Sequence, residues 1–182
     1  MRHSLLRGAL ACLLLAPVVA GCVVPPPPGA SVPPTAEVFA ADARALAYGR
    51  SASEVLDNPQ LRDKVRALFG ADWGPPSPGV GKLTLAAPAY FERGGPVRMV
   101  RVGDANYIAI TGCAAQAACT GHRGLLLVRE GGEELMARLD EDGFSHHYAH
   151  GTQVAGAPTI LDSALRALER ASGGSAFPRP GP

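Results

Sequence analysis

Four cysteines are the residues best placed to do chemistry, and their positions divide them among three tasks. Cys12 lies inside an apolar leader, and Cys22 closes the tetrapeptide Val19-Ala20-Gly21-Cys22 where that leader ends. Cys113 and Cys119 bracket Ala114, Ala115, Gln116, Ala117 and Ala118 in the middle of the β-rich region. In an oxidising compartment two thiols so placed are expected to pair. Closing a ring of about seven residues contributes roughly 2–2.5 kcal/mol in the chain-entropy picture. It also leaves the loop little ordering entropy to lose on binding. Two readings follow. Ala114 to Ala118 form a target-binding loop, or the bridge is a structural staple. Metal binding is disfavoured for this pair, because no second pair of ligands stands at finger spacing.

His146, His147 and His150 form the other conspicuous group. On a strand, His146 and His150 project from one face and His147 from the other, so only two could share a metal. The expectation is a solvated histidine face and no metal, with a zinc-dependent enzyme as the minor alternative. No nucleophile elbow, phosphate loop or dinucleotide fingerprint is present. Gly79-Val80-Gly81 follows prolines and lacks a third glycine, so it reads as a turn. The chain is therefore expected to be no enzyme and to carry no cofactor.

Residues 1–21 have the three parts of a secretory signal: Arg2 and Arg7, an apolar run from Ala9 to Val19, and the small residues Ala20-Gly21. The run is too short to span a hydrocarbon core of roughly 30 Å as a helix. Val-Ala-Gly-Cys resembles the bacterial lipobox, which implies acylation of Cys22 and a membrane anchor. Residues 22–34 then read as a lipidated, proline-rich tether, extended because proline lacks an N–H and fixes φ. The expected location is the bacterial envelope, at the outer membrane and facing the periplasm. The chain has 17 Lys+Arg and 16 Asp+Glu, and losing Arg2 and Arg7 leaves 15 basic residues. A near-neutral domain of this kind shows no electrostatic footprint for nucleic acid.

One α+β domain is expected over residues 35–172, followed by a disordered tail over 173–182. Thr35 to Tyr48 is read as a helix from Phe39, Ala43, Leu46 and Ala47. Asn58-Pro59 caps a second helix whose stripe is Leu61, Val65 and Leu68, and Trp73 beyond it is a core anchor. From Leu83 and Leu85 the period changes to two. Strands follow around Val100–Val102, Tyr107–Thr111, Gly124–Arg129, Leu135–Leu139 and Phe144–Ala149, with hairpin turns at Gly103-Asp104, Gly131-Gly132 and Asp142-Gly143. Pro158 opens a last helix with Leu161, Leu165 and Leu168 on one face. The expected architecture is an antiparallel sheet of about five strands with helices on one face.

Val102-Gly103-Asp104-Ala105-Asn106-Tyr107, a close cysteine pair, Arg123 and the apolar strand beyond it resemble the inhibitor of vertebrate lysozyme family. The likeness covers residues 50–170, and the stretch around the cysteines is its most specific part. It implies a periplasmic α+β protein, a homodimer, and a loop that enters a lysozyme cleft; the target expected for this chain is a lysozyme or a lytic transglycosylase. The family's loop is typically Cys-Lys-Pro-His-Asp-Cys, whose histidine meets the catalytic acids. This chain has five residues between its cysteines, and only Gln116 among them can hydrogen-bond through its side chain. A charge-assisted bond is worth about 1.5–3 kcal/mol against about 0.5–1.5 for a neutral one, so affinity for a lysozyme cleft is expected to fall. His122, three residues past Cys119, is the remaining candidate for contact with the target, although it is expected on the strand.

Overall fold

The computed structural model describes residues 32–76, 79, 81–116, 119–151 and 156–178. The expected leader, Cys22 and the tether as far as residue 31 lie outside the described residues, as do Ala117 and Ala118. No helix among the described residues is long and apolar enough to cross a membrane.

The fold is α+β, as expected, but its antiparallel sheet has seven strands. They are β1 (Ala36–Ala40), β2 (Arg93–Gly94), β3 (Arg98–Val102), β4 (Ala105–Cys113), β5 (His122–Arg129), β6 (Leu135–Glu141) and β7 (Phe144–His150). Their order is β1-β3-β4-β5-β6-β7, with β2 beside the end of β4. β2 and β3 therefore lie end to end along β4, interrupted at Pro96, which has no N–H to give the ladder.

The N-terminal segment departs from the expected helix. Ala36–Ala40 is strand β1, paired with β3, and only Ala43–Leu46 is helix α1. The Asp42 carboxylate caps α1, accepting from the backbone of Arg44 at 2.9 Å and of Ala45 at 3.4 Å. A β-branched and an aromatic residue, Val38-Phe39, precede this cap. The free edge of β3 offers them pairing that outweighs the helix propensity of the neighbouring alanines. Helix α2 (Ala52–Leu56) follows. Helix α3 (Arg62–Phe69) begins after an Asx turn in which Asn58 Oδ1 accepts from the Gln60 N–H at 2.9 Å. Leu61, Val65 and Leu68 are buried as expected, whereas Trp73 is half-buried against Phe69.

Leu83 and Leu85 are not on a strand. The backbone N–H groups of Lys82 and Leu83 donate to Asp72 Oδ1 at 2.5 and 3.3 Å, and that of Thr84 donates to Glu141. Two buried carboxylates take the place of a sheet neighbour. A 3-10 turn (Ala87–Phe91) then carries Tyr90 and Phe91 into the core.

Helices cover both faces of the sheet rather than one. Ile108, Ile110, Leu126, Val128 and Leu139 pack with α2, α3 and the 3-10 turn. Ala109, Leu125, Leu127 and Met136 pack on the other side against Leu161, Ala164, Leu165 and Leu168 of α4 (Ala157–Ala171). Leu125 to Val128 are all fully buried, the unbroken apolar run that a strand covered on both sides needs. The C-terminal segment also departs from a disordered tail. Phe177 is buried at 6% exposure in the α4-side core, and Ser175 Oγ accepts from its N–H at 3.2 Å.

Candidate functional site

Antiparallel pairing brings the end of β4, the start of β5 and the β6–β7 turn to one end of the sheet. The Cys113–Cys119 disulfide is formed there, with Cα atoms 5.2 Å apart. Both cysteines are buried. The first half of the ring is tied down by the segment leading into β2. Arg93 Nη2 donates to the carbonyls of Ala114 and Ala115 at 3.2 and 3.0 Å. The Ala115 N–H donates to Glu92 Oε2 at 3.1 Å, and the Ala114 N–H to the His122 carbonyl at 3.1 Å.

This anchoring shortens the expected loop. Ala114 is fully buried and belongs to the base, because its backbone is consumed by Arg93 and His122. Ala115 and Gln116 are exposed, and they are the described residues of the ring that a partner could touch. His122 sits on β5, as expected, and is half-buried. Its ring lies 5.8 Å from that of Tyr90, on the α2–α3 face of the sheet.

His122 pairs across the ladder with Glu141, and Asp142 follows at the turn. Each of the three offers a ligand atom, and these atoms lie within 4.8 Å of one another. Glu141 is held from two sides: the Tyr90 hydroxyl donates to Oε2 at 2.8 Å and the Thr84 N–H to Oε1 at 3.1 Å. Burial pushes the Glu141 carboxyl up, but these donors outweigh it and the net displacement is below the usual carboxylate range. The same arrangement works in the opposite sense on Tyr90, whose hydroxyl is pushed far up by burial and then by its carboxylate partner. Asp142 has φ of 47° and Gly143 of 90°, the left-handed pair that a two-residue hairpin turn demands. Beside them an open depression of about 380 Å³ is lined by Lys82, Glu141, Asp142, Phe144 and His146. Phe144 is 74% exposed, the largest aromatic surface at this end of the sheet.

The opposite face of the same strands carries an ion-pair network. Asp140 accepts from Arg123 at 2.9 Å, Arg138 at 2.7 Å and the Ser145 hydroxyl at 2.7 Å. Arg138 reaches on to Asp162 of α4 at 2.7 Å. Arg123 also covers the ring of Phe177 at 4.7 Å. This network locks α4 and the C-terminal segment to the sheet.

Histidines 146, 147 and 150 pair with Leu139, Arg138 and Leu135 respectively, which spreads them along β7 and over both faces. They do not converge. In the sequence Asp140, Glu141 and Asp142 stand just ahead of the β7 histidines, but nothing in their spacing points to His122, and only the β5–β6 register joins them. The signal lay in the Gly131-Gly132 turn: counting outward from it along β5 and β6 sets Glu141 across from His122, the first residue of β5. No family model, no curated protein and no solved structure matches this chain.

Proposed function

We propose that this chain is a lipid-tethered protein of the bacterial envelope that binds a peptidoglycan-cleaving glycosidase, a lysozyme or a lytic transglycosylase, and obstructs its cleft with the Cys113–Cys119 loop. The observation that carries this reading is the covalently closed ring whose base is held by Glu92 and Arg93 while Ala115 and Gln116 face outward. Such a loop enters a cleft with little entropy left to lose. Immobilising a long side chain costs about 0.5–1.5 kcal/mol on binding, and of the two exposed residues only Gln116 bears that cost. Its amide donates to one of the paired carboxylates that glycosidases use. No step of covalent chemistry is involved.

The burial of Ala114 favours a second reading, in which the bridge is a staple and the chain is a structural or assembly protein of the envelope. A titration against lysozymes of several types and a lytic transglycosylase separates the two. The plug predicts inhibition by the wild-type chain that falls at least tenfold in Gln116→Ala and in the double variant Cys113→Ser/Cys119→Ser, with the Gln116→Ala melting temperature unchanged. No inhibition of any enzyme, or inhibition indifferent to both changes, rejects the plug and leaves the assembly role.

A further inference from the structure

We propose that His122, Glu141 and Asp142 form a binding site for a divalent cation of the zinc class. The proposal stands apart from the glycosidase reading and survives its failure.

Two neighbouring carboxylates, equally buried at 6% exposure, are treated differently by the fold. Asp140 faces one side of the sheet and is neutralised by Arg123 and Arg138. Glu141 faces the other side, where no Arg or Lys nitrogen among the described residues comes within 4.0 Å. Its hydrogen bonds from Tyr90 and Thr84 orient it without supplying positive charge. Buried carboxylates are paired with a cation or coordinate a metal. Opposite Glu141 stands an imidazole, and beside it an exposed aspartate, both of them metal-ligating groups.

The geometry suits an ion. Zinc bonds to nitrogen and to carboxylate oxygen are about 2.0–2.2 Å, so its ligand atoms stand roughly 3–4 Å apart. The three donors already lie within 4.8 Å of one another. Rotamer changes at exposed Asp142 and half-buried His122 supply the remainder while Glu141 stays fixed. The Thr84 N–H is shared between the two Glu141 oxygens, at 3.1 and 3.2 Å, and each oxygen has two acceptor lobes. A Tyr hydroxyl and a backbone N–H behind a ligating carboxylate are the outer support that metal sites use. One imidazole with two carboxylates suits zinc and the other late first-row divalent ions better than calcium, which wants about six or more oxygens. The remaining coordination positions open on the depression lined by Lys82, Phe144 and His146, where water or an anionic group of a partner completes the shell. Bound there, the ion joins the chain leaving Cys119 to the β6–β7 turn, a link already begun by the Asp142 N–H on the Gly121 carbonyl at 3.3 Å.

Calorimetric titration of the chelator-stripped full chain with zinc chloride tests the assignment. One zinc per chain is expected, with Kd in the micromolar range or below and a melting temperature that rises with zinc. His122→Ala and Asp142→Asn should each weaken binding at least tenfold, while His147→Ala, on the opposite face of β7, leaves it unchanged. Asp142 is exposed, so its amide variant keeps the test valid if His122→Ala fails to fold. The assignment is overturned by no saturable binding up to roughly 100 µM zinc, by binding that survives both ligand substitutions, or by binding lost with His147→Ala.

Discussion

Asp140 and Glu141 are adjacent in sequence, and the period of two sends their carboxylates through opposite faces of the sheet. Burial pushes the Asp140 carboxyl up, yet the hydrogen bonds from Arg138 and Ser145 and the nearby charge of Arg123 outweigh it, so its displacement is downward. A carboxyl held lower in the fold than in the unfolded chain stabilises above its unfolded value of about 3.9 and loses that contribution as pH falls further. Asp140→Asn is therefore expected to cost about 3 kcal/mol at neutral pH, since it leaves Arg123 without its carboxylate and Arg138 with Asp162 alone. It should also flatten the loss of stability as pH falls below about 4. Urea unfolding at several pH values measures both effects. A variant with the wild-type acid slope would show that Asp140 does not govern it. At this scale the sequence was partly legible: the cysteine pair, the exposed Gln116 and the strand position of His122 could all be read from residue type and spacing. The carboxylates could not, because their roles come from residues far along the chain, Tyr90 and Thr84 for Glu141, and Arg123 and Asp162 for the network around Asp140.

Among the elements, the Ala87–Phe91 turn shows what local pattern hides. It lies flat on the sheet because Gly112 and Gly124 leave room for it. A Cβ on Gly112 would meet Phe91 Cα at 2.6 Å, and one on Gly124 would meet Phe91 Cζ at 2.7 Å. The first contact is with backbone and has no soft end that could yield. Gly112→Ala is accordingly expected to cost about 2–3 kcal/mol by overpacking, to be read as a lower denaturation midpoint at unchanged m. A cost under about 0.5 kcal/mol would mean the turn can slide. Gly124→Ala should be milder, because a ring edge can rotate away. Strands β3 to β7 were visible in alternation and turn residues, whereas β1 was masked by alanines and the segment at Leu83 mimicked a strand by alternation alone. What decided both was tertiary: a free edge at β3 for the first, and the carboxylates of Asp72 and Glu141 capping the backbone of the second.

For the whole molecule, the question is what closes the α4 side of the sheet. The unbroken buried run Leu125 to Val128 already demanded cover on both faces, and a one-sided helix layer could not have provided it. Helix α4 supplies most of that cover, and the chain then returns beyond its end so that Phe177 enters the same core and lies under the Arg123 guanidinium. Composition alone reads Gly173 to Pro182 as a tail because glycine and proline dominate it. A single aromatic residue with a seat prepared by Leu125, Leu127 and Arg123's strand is enough to reverse that reading through residue 178. Phe177→Ala should then cost about 3 kcal/mol, in the range for a buried phenylalanine. It should also deprive Arg123 of its stacking partner while leaving the Asp140 ion pair in place. A chain ending at Ser172 should show the same loss, since Phe177 goes with the ten residues removed. Thermal denaturation of both forms measures it, and two curves within about 0.5 kcal/mol of wild type would return the segment to the status of a tail.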